Sequence, residues 1–474
     1  MLTIVGYLMV LTFMALIMTR RLSPMVALIT IPFLFALVAG FGGAEIGVMM
    51  LEGIKTLAPT GVMLMFAILY FGVMIDAGLF DPIVKRILRA VGGDPLKVVM
   101  GTALLAALVS LDGDGSTTYM ITVASLLPLY RRLGMNPLNL TCVTILAGGV
   151  MNLTPWGGPL ARAASALRVE PSDVFVPMLP VMAAGILGVF GLSYLLGRQE
   201  RNRLGVLALD AAHPPLDPLV LPPSSPTLTP SPCVCDAPNG QEARDYLPIE
   251  ETALLCPPDV AALRRPQMLL FNAVLTSLLM LALVLHVLPL PVLFMLGFAI
   301  ALVANYPKVA EQRERVAEHA KNVIAVVSLI FAAGIFTGIL SGTGMVKAMS
   351  DGFLTAIPAT WGPYLAPITA IASMPFTFFI SNDAFYFGVL PVVAEAAGSH
   401  GISAVEIAQA SLIGQPIHLL SPLVPSTYLL VGLAGVEFGD HQRYTLKWAA
   451  ILCLVMLITA LLVGVFPLVA SPTV

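Results

Sequence analysis

Apolar runs long enough to span a bilayer recur along this chain, each closed by a short polar or basic segment. Residues 2–18 form the first, closed by Arg20-Arg21. Residues 25–41 and 60–80 form the next two, with Glu45 and Glu52 in the loop between them and Lys85, Arg86, Arg89 and Lys97 after them. About twenty apolar residues cross a membrane as a helix, so all three predict transmembrane spans. Basic residues gather on the cytoplasmic side, which places the N-terminus outside.

Residues 97–132 break the rhythm. Basic residues flank this segment at both ends, and each of its apolar arms is only about fourteen residues, short of a full span. A re-entrant hairpin entering from the cytoplasm satisfies both facts, with Asp112-Gly113-Asp114-Gly115-Ser116-Thr117-Thr118 at its tip. Residues 138–167 then predict one crossing interrupted by Met151-Asn152-Leu153-Thr154-Pro155-Trp156-Gly157-Gly158-Pro159. Irregular backbone at membrane depth is tolerated only where protein buries it or water reaches it. A return span over 174–196 ends at Arg198, Arg201 and Arg203.

Residues 198–265 change character, with stretches such as Pro222-Pro223-Ser224-Ser225-Pro226. Such a segment buries too little apolar surface to offset its ordering entropy, and it predicts a disordered cytoplasmic linker. It divides a first membrane repeat, 1–197, from a second, 266–474. The second repeats the plan: spans over 268–287, 291–306 and 324–340, with the charged stretch 308–321 inside. A hairpin over 363–397 turns at Ser381-Asn382-Asp383. A crossing over 402–436 is broken at Gly414-Gln415-Pro416-Ile417-His418-Leu419-Leu420-Ser421-Pro422-Leu423-Val424-Pro425-Ser426-Thr427, and a last span covers 448–466. A shift of about 266 to 269 residues lays Asp114 near Asp383, Gly148 near Gly414 and Asn152 near His418. Five crossings plus a hairpin per half is an odd number, so the second half is inverted relative to the first. The expected fold is therefore an all-α polytopic membrane protein of two inverted-topology repeats with broken helices at the midplane, a secondary-transporter plan.

Composition agrees: the 474 residues are 58% hydrophobic and 11% charged, with mean hydropathy +0.92, which excludes a soluble domain. A net charge of −3 gives no reason to expect a nucleic-acid partner. Of five cysteines, Cys142 and Cys453 lie in apolar segments, and Cys233, Cys235 and Cys256 lie in the linker without zinc-site spacing. Residues 1–19 lack a basic n-region and a small-residue cleavage site, so they read as a retained span in a multi-pass protein of the cell membrane.

The candidate chemistry lies in the tips and breaks. Helix N-termini at glycine- and serine-rich breaks present backbone N–H groups and a positive dipole end, which suit carboxylates. Gly113, Gly115, Ser116, Thr117, Asn152, Thr154, Gly157, Gly158, Ser381, Asn382, Gln415, Ser421, Ser426 and Thr427 are the candidate substrate contacts. Arg162 is the basic residue nearest a break; it either helps hold an anion or snorkels to the outer interface. Asp112, Asp114 and Asp383 put negative charge where burial costs on the order of 2.5 to 3.5 kcal/mol each on insertion scales. They are explained if sodium, protons or a divalent metal share the site with the anion, since hard cations take carboxylate, hydroxyl and carbonyl oxygens. The alternative is that an individual aspartate only caps its helix. His418 is a candidate carrier of a coupling proton, a metal ligand, or simply a hydrogen-bonded histidine. Asp76, near the inner end of a span, reads as interfacial. An intramembrane metalloprotease is disfavoured because no H-E-x-x-H motif is present and an enzyme gives no reason for an inverted repeat.

The motifs Asp112-Gly113-Asp114-Gly115-Ser116-Thr117-Thr118-Tyr119, Thr154-Pro155-Trp156-Gly157-Gly158-Pro159, Ser381-Asn382-Asp383-Ala384-Phe385-Tyr386-Phe387-Gly388 and Gly414-Gln415-Pro416-Ile417-His418 together resemble those of the CitMHS family, the citrate-metal:proton symporters of the ion-transporter superfamily. The resemblance covers both halves but not the linker. It implies proton-driven uptake of citrate complexed with a divalent metal such as Mg or Ca, with no cofactor beyond the metal carried in the substrate. It also implies the fold of the divalent-anion:sodium symporters, as a homodimer whose transport domain moves against a scaffold. Those relatives carry Ser-Asn-Thr at both tips. The added carboxylates here fit metal-bearing citrate better than a sodium-coupled free dicarboxylate or other organic anion, the alternative substrate class.

Overall fold

The computed structural model describes residues 2–470 apart from Arg20, Gly92, Asp114, 206–262 and Ile357. Every regular element among them is helical. Leu2–Met18 and Pro24–Val38 match the first two expected spans, and Pro24 at the first helical position with the Ser23 side chain accepting from Val26 N–H fixes where the second begins. The third departs from expectation. Glu45 and Glu52 are not in a loop: Gly43–Asp76 is one helix of 34 residues. At 1.5 Å per residue it is about 51 Å long, well beyond a ~30 Å hydrocarbon core, so its acidic start projects past the membrane instead of forming a connection. Likewise the charged stretch 308–321 is not a connecting loop but the first turns of the 34-residue helix Val309–Gly342.

These two long helices pack along each other and join the halves of the chain. Gly334, Gly338 and Gly342 recur every four residues on one, facing Gly53 and Met49 on the other. A Cβ on Gly53 would overlap the Gly334 carbonyl and come within 2.9 Å of Gly338 Cα, so only glycine permits this backbone approach. At the other end Asp76 Oδ2 accepts from His319 Nε2 at 2.9 Å and lies 3.3 Å from Arg315 Nη1. Asp76 is thus an interhelical partner.

Asp81–Val91, which the hydrophobic pattern did not single out, is a short amphipathic helix, and Met345–Ala356 holds the same place in the second half. Next come the hairpins. Pro95–Val109, a 3-10 turn over Ser110–Asp112 and the returning helix Gly115–Arg132 make the first; with its turn the first arm reaches 18 residues, longer than expected. Leu365–Phe379, a π-turn over Ala384–Val389 and Leu390–Gly398 make the second. Each hairpin precedes a broken crossing: Pro137–Met151 then Gly158–Leu167, and Ala404–Ser411 with Gln415–His418 then Pro425–Ala434. Pro171–Leu204 and Phe438–Val463 end the halves, after Leu269–Val284 and Leu290–Asn305 open the second. The order of elements is the same in both. Six helices are long and apolar enough to cross a membrane among the described residues. Their outward leucines, isoleucines and phenylalanines are exposed, as a lipid-facing surface requires. Most of the expected linker, residues 206–262, lies outside the described residues.

Candidate functional site

The four interruptions expected from the sequence meet. In the first hairpin the chain turns at Gly113, whose φ of +79° a side chain would strain and whose added Cβ would lie 3.0 Å from the Trp156 ring. Trp156 Nε1 donates to Leu111 O at 2.8 Å, locking the first break onto the first tip. Its ring packs against Phe71 and Phe294, with centroids 5.4 and 5.2 Å apart, which anchors that junction to two spans of the surrounding framework. The first tip also touches the second break, since a Cβ on Gly115 would lie 3.6 Å from Ser426 Oγ. The two breaks touch each other where Gly149 allows Pro416 to approach; a Cβ there would lie 2.7 Å from Pro416 Cα.

The second tip is tied to the first break by charge. Arg162 Nε donates to Asp383 Oδ1 at 2.6 Å, with the two side chains 24% and 12% exposed. Of the two readings of Arg162, snorkelling to the interface is therefore corrected: one turn into the helix Gly158–Leu167, its stem points back over the break, and the bare Cα of Gly158 leaves the guanidinium its space. Asp383, 8% exposed overall, has the Arg162 guanidinium as its counter-charge. The two candidate roles, anion contact and cation contact, thus fall on one ion pair.

The interrupted elements also carry polar groups with unspent capacity. Asn382 Oδ1, Gln415 Oε1 and Thr154 Oγ1 are buried without a hydrogen-bond partner among the described residues. Five further such atoms that the sequence did not select occur elsewhere, on Thr122, Ser165, Ser193, Gln409 and His441, with Trp448 Nε1 besides. An unsatisfied buried group costs about 1 to 3 kcal/mol; the two amide oxygens only accept and so suit a cation or a hydroxyl donor, whereas the Thr154 hydroxyl can also donate to a carboxylate. Backbone donors add to them. The helices starting at Gly158 and Pro425 have no side-chain cap, whereas Ser381 Oγ caps its own tip by accepting from Ala384 N–H at 3.2 Å.

Other candidates are occupied by structural bonds. Ser421 Oγ donates to Phe378 O at 2.6 Å and accepts from Leu423 N–H, and Thr427 Oγ1 donates to Leu419 O. His418 is buried, and its Nδ1 lies 2.7 Å from Thr377 O; a carbonyl can only accept, so Nδ1 carries the proton and Nε2 is left over. Asp112 is buried at the first tip, Ser116 and Thr117 are half-buried beside it, and Asn152 and Gly157 sit in the first break, where a Cβ on Gly157 would press on Asn152 O. Asp114 lies outside the described residues. Two residues that the sequence reading quoted without a role also belong to the site. Trp156 positions the first tip, and Tyr386 accepts from Gln415 Nε2 at 2.8 Å. The signal for both was an aromatic side chain with a polar handle inside an otherwise glycine- and proline-rich break.

No three His, Cys, Asp or Glu side chains among the described residues are grouped as a resident metal would need. The sequence matches the model of the CitMHS citrate transporters over residues 13–414. The chain belongs to the citrate transporter family. Within this family it is 55% identical over 465 residues to the "Citrate transporter" of Bacillus subtilis (strain 168), covering 98% of this chain and 99% of that one. It is 49% identical over 464 residues to the "Mg(2+)/citrate complex secondary transporter" of the same organism, with the same coverage. Among solved structures it shares its fold with the YdaH transporter of Alcanivorax borkumensis, at TM-score 0.50 and 15% identity, over 88% of this chain and 86% of that one. The family and the relatives matched are transporters, a non-enzymatic role.

Proposed function

We propose that this citrate transporter family member is a proton-coupled symporter that takes up citrate as its complex with a divalent metal of the Mg or Ca type. The observation that carries the reading is the Arg162–Asp383 pair at the meeting point of the first break and the second tip. A metal-citrate complex presents carboxylates and a cation side by side, and so does this pair with the signs exchanged. Citrate carboxylate takes Arg162 and first-turn backbone N–H groups of the uncapped helices Gly158–Leu167 and Pro425–Ala434, other than those of the prolines, which have none. The metal, still chelated by citrate, faces Asp383 with Asn382 Oδ1 and Gln415 Oε1, all oxygens that hard cations accept. Few protein donors are needed because citrate brings its own, and the relative named a Mg(2+)/citrate complex transporter supports this substrate.

Asp112, Asp114 and the Nε2 of His418 are the groups we assign to proton coupling. His418 suits that task because its other nitrogen is already held by Thr377 O. The two halves, 1–197 and 266–474, act as inverted repeats in the cell membrane. Both termini lie outside, the segment 198–265 is cytoplasmic, and the tips and breaks move against a homodimeric framework containing the two long helices.

Uptake of labelled citrate into energised vesicles tests the substrate. Added Mg or Ca raises uptake, chelator lowers it, and a protonophore abolishes it. Higher uptake with chelator would mean free citrate is carried, and dependence on sodium instead of protons would favour the other coupling.

A further inference from the structure

One cavity lies apart from the transport site, and its lining does not suit citrate. It has a volume of about 760 Å³ and sits between the amphipathic helix Asp81–Val91, the first arm of the first hairpin and the start of the second half at Arg264. Its wall is mostly apolar, with Ile87 buried at the back and Leu104 and Leu269 at the sides. Its charged lining is four cations, Lys85, Arg86, Arg89 and Arg264, against one carboxylate, Asp81.

Arg264 is spent within the protein: it bonds Asp81 Oδ2 at 3.2 Å and Ile75 O at 2.7 Å. Lys85, Arg86 and Arg89 are exposed and form no ion pair among the described residues, leaving an uncompensated charge of three beside an apolar hollow. The helix that carries them alternates faces: Val84, Ile87 and Val91 are buried, and the three cations lie on the other side. A short helix with one apolar and one basic face lies in the plane of a membrane surface. The opening also reaches lipid, because Leu104 is 39% exposed, and Leu270 and Phe271, next to the lining residue Leu269, are 79% and 42% exposed.

We infer that this cavity is a binding site for an anionic phospholipid of the adjacent leaflet, its phosphate held by Lys85, Arg86 and Arg89 and its acyl chains along Ile87, Leu104 and Leu269. A free phosphate or citrate would use only the cations and would leave the apolar wall against water. A zwitterionic lipid would use only the wall. Basic pockets at the membrane interface select anionic headgroups because each nearby cation attracts the headgroup, whereas apolar burial alone does not discriminate between lipids.

The test is native mass spectrometry of the full-length protein in detergent, titrated with phosphatidylglycerol or phosphatidylcholine of equal chain length. Phosphatidylglycerol should bind at least about tenfold more tightly, and the Lys85→Gln/Arg86→Gln/Arg89→Gln variant should lose that preference, given about fivefold per cation near a charged headgroup. A control with the exposed Arg131, Arg132 and Lys308 changed to Gln should keep it. Equal binding of the two lipids overturns the proposal, as does an equal loss in the control, which would mean unspecific attraction. Displacement of the lipid by millimolar inorganic phosphate or glycerol phosphate would mark a free-anion site and overturn it too. A full-length variant with Asp245, Glu250, Glu251 and Asp259 neutralised should bind the lipid like the parent. Lipid binding gained only in that variant would show that the chain's own acidic segment fills the cavity, against the proposal.

Discussion

Neutralising either member of the Arg162–Asp383 pair should damage the protein in two separable ways. Asp383→Asn leaves a guanidinium 24% exposed without its counter-charge, and Arg162→Gln leaves a carboxylate 12% exposed without its own. Two unit charges about 4 Å apart attract by about 4 kcal/mol at the effective dielectric of a site near a protein surface. Breaking a fully buried pair costs about 3 to 5 kcal/mol; with this partial exposure we expect about 2 to 3 kcal/mol of lost stability for each single change. The double change Arg162→Gln/Asp383→Asn removes both charges, so a double-mutant cycle should return a coupling of about 3 kcal/mol, large enough to put the melting midpoint of the double variant above either single variant. Citrate uptake should behave differently. Each single variant should lose at least about tenfold in uptake rate, equivalent to about 1.4 kcal/mol, while the protein remains in the membrane. The double variant should stay inactive despite its regained stability. Thermal unfolding in detergent and labelled citrate uptake, on the same preparations, read the two effects. Uptake restored along with stability in the double variant would refute the assignment, for the pair would then be a strut and not a contact for substrate. Normal uptake in Asp383→Asn would refute the shared-cation reasoning altogether.

Gly53→Ala should sharply lower the yield of folded protein, since its Cβ would meet the Gly334 carbonyl and overpacking costs about 1 to 3 kcal/mol or more where backbone must move; Gly47→Ala in the same helix, with open space around it, should not. Trp156→Phe keeps most of the ring packing but loses the bond to Leu111 O, worth about 1 kcal/mol, so it should slow uptake without preventing folding; unchanged uptake would mean the first tip does not need that anchor. Acid stability should depend on Asp94. Burial pushes its carboxyl up, but the Arg201 side chain, the Leu96 N–H and the charges of Arg201 and Lys97 outweigh that and hold it below the usual carboxylate range. A lowered folded value means that this stabilisation is present above the ordinary carboxylate range and disappears as pH falls through the folded value. Lowering pH from 7 to 3 should thus reduce the melting midpoint of the parent more than that of Asp94→Asn, and parallel pH profiles would sink the assignment.

Much of this architecture was legible in one dimension. Hydrophobic runs in lipid have a length fixed by bilayer thickness, and backbone groups in hydrocarbon must bond within their own helix, so spans and interruptions announce themselves as long apolar stretches and Gly-Pro breaks. Thus the breaks expected over 151–159 and 414–427 contain interruptions of the helices, at 152–157 and 419–424, and both hairpins turn within their expected tips. Charged residues misled where a helix outruns the membrane: Glu45, Glu52 and the stretch 308–321 are polar because they are solvated, not because they are loops.

What no reading along the chain could decide is which interruption meets which. The bond between Arg162 and Asp383 spans 221 positions, and that between His319 and Asp76 spans 243. Composition made Arg162 equally suited to an interfacial role, because a long basic side chain is stable either at a membrane surface or opposite a carboxylate. Only the packing of Gly158–Leu167 against the second tip chose between them. The sequence by itself determined which elements could tolerate irregular backbone and charge at membrane depth, since those costs are local. The tertiary structure alone decided that a cation from one half and an anion from the other share one place, since that balance is struck between distant segments.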